Sequence, residues 1–325
     1  MFIEQAQQFK HDSWRYWVGM VFVFIIWQLG SIPLAVAVFG KVMQQEGDLE
    51  ALSQDPNAIM QVLSPNMTLF LMLLAFAIGL GGLLLWVNRV HEQSFRSLTT
   101  SRAKIDYRRF WFGFLLIAGT TVVMTLVEYV MNPESFEVQF NLGPFLGLLI
   151  IAVLMIPLQT SFEEYFFRAY IFQGLGLMTR NRWVPLVLTS IVFGGMHAFN
   201  PEVEKMGGII MLYYIGTGLF LGVITLMDEG LELALGFHAG NNLVGALLVT
   251  ADWTAFQTHS IFKDVSDPSA GLDTMLPVFV IYPLFLWLMA RQYGWSDWSR
   301  KLIGPVLSIH ESKQSDQVNG KSLTQ

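Results

Sequence analysis

The 325-residue sequence contains no cysteine. Disulfides, thiolate nucleophiles and Cys-ligated zinc are excluded together, so any chemistry must rest on oxygen and imidazole. Charge is also scarce, with 14% of residues being Asp, Glu, Lys or Arg where a soluble domain carries about 25%. No polar run is long enough to form a soluble domain, and neither a repeat nor a nucleic-acid module is visible. Apolar sequence fills the chain instead, at 53%.

Eight apolar stretches are long enough, or nearly so, to cross a hydrocarbon core about 30 Å thick at about 1.5 Å per helical residue. They run approximately over 16–40, 66–90, 110–131, 143–175, 183–199, 207–227, 231–250 and 274–290, spans one to eight in chain order. The sequence therefore predicts an all-α, polytopic membrane protein with about eight transmembrane helices. The first stretch is too long for a signal-peptide core and follows polar residues without a cleavage pattern, so it is expected to persist as a helix.

Basic residues concentrate in cytoplasmic connections, and here they alternate from one side to the other. Fifteen lie on one side: Lys10 and Arg15; Arg89, Arg96, Arg102, Lys104, Arg108 and Arg109; Arg180 and Arg182; and Arg291, Arg300, Lys301, Lys313 and Lys321. The other side has three, Lys41, Lys205 and Lys263, among acidic residues including Glu46, Asp48, Glu50, Asp55, Glu134 and Glu137. Both termini are therefore expected in the cytoplasm. The connection 91–109 reads as a solvated positive-inside loop, with headgroup contact as its alternative. Trp14, Tyr16, Trp86, Trp111, Trp183, Tyr282 and Trp287 read as interfacial anchors or lipid-facing bulk.

Four regions follow: 1–142 with spans one to three, 143–250 as the core carrying the chemistry, 251–301 as an external loop and span eight, and 302–325 as a polar, disordered tail. In spans six and seven, Gly218 with Gly222 and Gly236 with Gly240 have the small-residue spacing that lets helix backbones approach closely.

One basic residue fits no loop. Arg168 lies within SFEEYFFRAY, where Glu163 and Glu164 follow a long apolar run. A charge near the bilayer centre costs about 2.5–3.5 kcal/mol on insertion scales, so this trio needs a reason. Glu164 and Arg168 are four apart and can pair on one helix face, while Glu163 is turned about 100° away. Taken alone, the trio could be an ion pair plus a glutamate reaching toward the cytoplasm. Two other spans also carry polar groups, His197 in IVFGGMHAFN and His238 with Asn242 in LALGFHAGNN. Counted from the expected cytoplasmic helix ends, Glu163, His197, His238 and Asn242 lie about 18, 21, 10 and 16 Å deep. One cavity could collect them, and its mouth is expected to face the cytoplasm or inner leaflet.

E-E-x-x-x-R at Glu163–Arg168, F-x-x-x-H at Phe193–His197 and H-x-x-x-N at His238–Asn242 together resemble the motifs of the CPBP family. That family contains the CAAX prenyl endopeptidases and bacterial proteins of bacteriocin processing or self-immunity. The likeness covers about 143–250. It implies an intramembrane endopeptidase, multi-pass in a bacterial plasma membrane, acting on membrane-associated or lipidated (prenylated, CAAX-type) peptide substrates, with lipid and not nucleic acid as its surroundings. On this resemblance Glu163 is the general base, His197 holds the attacking water, and His238 and Asn242 stabilise the oxyanion. Glu164 and Arg168 orient span four, and Phe193 packs. A zinc version stays open, with Glu163, His197 and His238 as ligands and Glu164 as base; the metal-free form is favoured because Arg168 sequesters Glu164. The rival from another class is a transporter or self-immunity protein that binds without cleaving.

Overall fold

The computed structural model describes residues 1–44, 58–267, 272–308 and 311. The acidic residues between 46 and 55, and most of the tail expected to be disordered, lie outside the described residues. Within the tail, Pro305 bridges to Asn181, and Val306 is buried and donates its N–H to the Arg180 carbonyl.

The described chain is almost entirely helical. Among the described residues, six helices are long and apolar enough to cross a membrane: Ser13–Gln44, Pro65–Arg89, Tyr107–Met131, Leu142–Thr179, Ile210–Asp228 and Thr274–Tyr293. They correspond to spans one, two, three, four, six and eight. Spans five and seven are helical as well but shorter. Span five is Trp183–Met196 with one further turn, His197–Phe199, and span seven is Glu232–Leu248, 17 residues. At 1.5 Å per residue each is about 26 Å long. The expected count of eight therefore holds as eight helical elements, two of them shorter than a hydrocarbon core.

Local sequence sets the ends. Span two starts with Pro65 after Ser64, where the missing N–H has no intrahelical partner to lose. Span three starts with the Asp106 carboxylate accepting from the Arg108 N–H. Spans four and six end at Arg180 and Glu229, both left-handed. Span four widens into a π-helical segment at Glu164–Ile171, a distortion that often marks functional sites.

Span seven is the axis of the bundle, with Leu231 through Gly240 buried without interruption. Its glycine face meets span three directly: a Cβ on Gly236 would collide with the Phe110 carbonyl, and one on Gly240 would lie 2.8 Å from the Phe114 carbonyl. Gly218 and Gly222 likewise bring span six against Ser190 and Leu186 of span five. The glycine pairs thus do what their spacing predicts. Around this core the outward faces are apolar, with Val36, Leu115, Ile150 and Phe279 all more than 60% exposed, as lipid contact requires.

The two ends of the bundle differ. At the end away from the termini, β1 (Phe136–Val138), β2 (Val249–Thr250) and β3 (Phe262–Asp264) form a small sheet in the order β1-β3-β2, with β1 antiparallel and β2 parallel to β3. At the terminal end, a short 3₁₀ helix, Ile3–Gln8, buries Ile3, and Phe2 beside it is also buried.

The 91–109 connection is not the solvated loop expected. His91, Gln93, Ser97, Leu98, Thr99 and Thr100 are buried, and Arg102 pairs with Asp228 and Glu232 at 2.8 Å each. Arg109 adds a second bond to Asp228. Acidic residues on the turn between spans six and seven draw the basic loop under the bundle. Tyr16 and Tyr282 also depart from expectation, because both are buried. Tyr16 packs on His91 and Tyr170, while Tyr282 stacks on Phe220 with its hydroxyl 2.9 Å from Thr217.

Candidate active site

Span four presents Gln159, Glu163, Glu164 and Arg168 to the interior, all of them buried. The Arg168 guanidinium donates to Glu164 Oε1 at 3.0 Å, lies over the Phe193 ring at 4.1 Å and reaches the Gly218 carbonyl at 3.4 Å. The i, i+4 pair read from the sequence is therefore present and fully enclosed. Burying both charges is unfavourable by several kcal/mol per ion, which their mutual attraction and these added contacts offset. Phe193 does pack, as expected, and it packs specifically against the guanidinium and both motif histidines, with ring centroids 4.8 Å from His197 and 6.1 Å from His238.

His238 sits between the two glutamates. Its Nδ1 is 2.7 Å from Glu164 Oε1, and its Nε2 is 3.5 Å from Glu163 Oε2. A carboxylate only accepts, so Nδ1 carries a hydrogen toward Glu164. Nε2 then turns a lone pair on Glu163 unless one more proton occupies that gap, on the imidazole or on the carboxyl.

On its other side Glu163 accepts from Gln159 Nε2 at 2.8 Å, and Gln159 Oε1 accepts from Asn242 Nδ2 at 3.1 Å. A continuous polar chain therefore runs from Asn242 through Gln159, Glu163, His238 and Glu164 to Arg168. Sequence reasoning missed Gln159. Its signal was an amide one helical turn before Glu163 in an otherwise apolar run.

His197 reaches the same space from span five. Its Nδ1–H donates to the Phe193 carbonyl at 2.8 Å, and its ring stacks on Tyr214 with centroids 4.4 Å apart. Nε2 is left as the acceptor nitrogen. Glu163, His197, His238, Asn242 and Gln159 all line one cavity of about 570 Å³, within the size range of small-ligand sites. Among the described residues, no three His, Asp or Glu side chains are grouped to hold a metal ion. Glu163, His197 and His238 share the cavity, but they do not form the zinc set considered from the sequence.

The cavity does not extend the way the depth estimate implied. Its floor is at Leu221, Phe237, His238 and Glu163, and from there its wall climbs along Asn241, Gly245 and Val249 to Thr254–Phe256, beside the small sheet. On the opposite side of the floor, the chain is packed shut by the buried Arg168, Tyr165 and Tyr170 and by the 91–109 connection. Tyr165 is 2.9 Å from the Thr99 hydroxyl, and Gln173 takes an amide bond from Gln93 at 2.8 Å. Distance along a helix axis says nothing of which side neighbouring elements close.

These features define a polytopic helical membrane protein with a polar, hydrogen-bonded chain buried at the floor of a cavity inside its bundle. The chain belongs to the family of type II CAAX prenyl endopeptidase Rce1-like proteins, whose model matches residues 142–244, the stretch that holds spans four to six and most of span seven, with Gln159, Glu163, Glu164, Arg168, Phe193, His197, His238 and Asn242. It is 31% identical over 249 residues to the uncharacterized protein YyaK of Bacillus subtilis (strain 168), an alignment that covers 74% of this chain and 79% of the relative. No solved structure gives a significant match. Membership points to a membrane-embedded protease.

Proposed function

We propose that the protein is an intramembrane endopeptidase that hydrolyses peptide bonds of membrane-associated substrates, CAAX-type lipidated peptides among them, with water activated by Glu163. The observation that carries this reading is the convergence of Glu163, His197, His238 and Asn242, from spans four, five and seven, on one cavity within an apolar bundle.

A water in the cavity between Glu163 and His197 Nε2 has a base on one side and an acceptor to fix its second hydrogen on the other. As it attacks the scissile carbonyl, Glu163 takes its proton. With its Nδ1–H held by Glu164, His238 in its doubly protonated form presents an Nε2–H that donates to the developing oxyanion together with the Asn242 amide. The proton on Glu163 then passes to the leaving amine. Gln159 holds Glu163 and Asn242 in register, so that base and oxyanion donors move together.

The test is cleavage of membrane-anchored reporter peptides by purified protein in lipid vesicles, with Glu163→Gln as the control. Product that appears with the wild type and falls by about 10²–10⁴ in the variant supports the reading. Equal product from both, or binding without any cleavage across a broad peptide library, would overturn it.

A further inference from the structure

Glu202 lies on the short helix Pro201–Met206, in the connection between spans five and six, and lines the same cavity some distance from its floor. The motifs do not include it. One of its oxygens, Oε1, accepts from the Ala255 N–H at 2.9 Å, while Oε2 is buried without a hydrogen-bond partner. Leaving a buried carboxylate oxygen unsatisfied is unfavourable, and burial pushes this carboxyl above its ordinary range against the opposing pull of the Ala255 N–H and of nearby His197. Glu202 therefore lines the cavity while one of its oxygens is enclosed and left without a partner. Tyr213, Tyr214 and Phe256 line that cavity too, and aromatic faces favour a neighbouring cation.

We propose that Glu202 forms a subsite for a cationic side chain of the substrate, lysine or arginine, so that the enzyme selects peptides carrying a basic residue near the scissile bond. The inference rests on the peptide-cleaving reading of this cavity and adds its selectivity. A shift of the Glu202 side chain presents Oε2, enclosed in the free protein, to the ammonium or guanidinium group, while Oε1 stays on the Ala255 amide and the aliphatic stem lies against the aromatic wall. The Ala255 bond gives Glu202 a second task, tethering the 249–261 connection. Glutamine at this position keeps an acceptor for Ala255 and removes only the charge, so the two tasks separate.

The experiment scans one membrane-anchored peptide with lysine, norleucine or glutamate at each position around the cut. Turnover is measured with the wild type, Glu202→Gln and Glu202→Lys, and binding with Glu163→Gln. At one position the wild type is expected to prefer lysine over norleucine by roughly 10- to 100-fold in kcat/KM, the worth of one hydrogen bond to a charged group. Glu202→Gln abolishes that preference while cleaving the norleucine peptide normally, and Glu202→Lys moves it to glutamate. Equal efficiency with lysine and norleucine at every position, or an unchanged preference in Glu202→Gln, overturns the subsite. If no peptide is cleaved the endopeptidase reading fails, and binding to Glu163→Gln still decides: lysine selectivity supports the subsite and its absence refutes it.

Discussion

Neutralising each glutamate of the pair separates two kinds of loss. Glu164 is completely enclosed, and its Oε1 takes both the Arg168 Nη1–H at 3.0 Å and the His238 Nδ1–H at 2.7 Å. Glu164→Gln leaves the Arg168 charge buried without its counter-ion, and breaking such a pair costs about 3–5 kcal/mol. The amide also offers its NH₂ to partners that are themselves donors. Lower thermal stability and yield are expected, together with a rate loss because His238 is no longer held with its proton on Nδ1. Glu163 is also buried, but its partners are the Gln159 amide and the more distant His238. Glu163→Gln keeps the volume and the Gln159 contact and removes a desolvated charge. It is expected to melt at or above the wild-type temperature and to lose about 10²–10⁴ in rate. Thermal unfolding in detergent, read beside reporter turnover in vesicles, gives both numbers for each variant. The double change Glu164→Gln with Arg168→Met is expected to regain stability without regaining full rate, since removing both ions of a buried pair is often close to neutral. A Glu164→Gln protein that is as stable as wild type and inactive would refute this division of labour, as would a Glu163→Gln protein that turns over normally.

Gly236→Ala places a methyl group against the Phe110 carbonyl, so spans three and seven must separate and folded yield is expected to collapse; Gly245→Ala, with open space around it, serves as the control that expresses normally. Because the chain has no native thiol, Thr254→Cys is expected to react with a membrane-impermeant maleimide from outside the cell and Glu92→Cys only from the cytoplasmic side; the reverse pattern would invert the orientation. His91 is held between the Lys10 carbonyl at 2.7 Å and the Tyr170 hydroxyl at 3.2 Å, and burial lowers its pKa below 6.5. Its contribution to stability is fully present above that value and is lost as pH falls through the folded-state pKa. Thermal stability between pH 7.5 and 5 is therefore expected to drop more in the wild type than in His91→Gln, and parallel curves would contradict the assignment.

Hydropathy made the spans legible, because a bilayer demands apolar length and the chain supplies it without ambiguity. The site was legible for the same reason: in such surroundings Glu163, Arg168, His197 and His238 stand out as residues needing partners. What stayed hidden depends on which elements meet. Arg102 and Arg109 look like ordinary loop charges until Asp228 and Glu232 are known to lie beside them. Tyr16 and Tyr282 have the composition of interfacial anchors and are buried by neighbours that no local pattern announces. Strands of two or three residues, such as Val249–Thr250, are too short to show an alternating pattern. Glu202 reads as one more exposed acid in a connection until the fold brings Ala255 to it.

The shortness of span five has a consequence for the lipid around it. Val187 and Ile191 are 38% and 50% exposed, so this helix of about 26 Å faces a hydrocarbon layer about 30 Å thick. A short helix is accommodated by pinching the bilayer locally. Here the pinch would fall beside the helix that carries His197, and for the proposed hydrolysis it would draw headgroups and their hydration toward a reaction that consumes water. On that reading the thickness of the host membrane would set how readily the buried site is supplied with its second reactant.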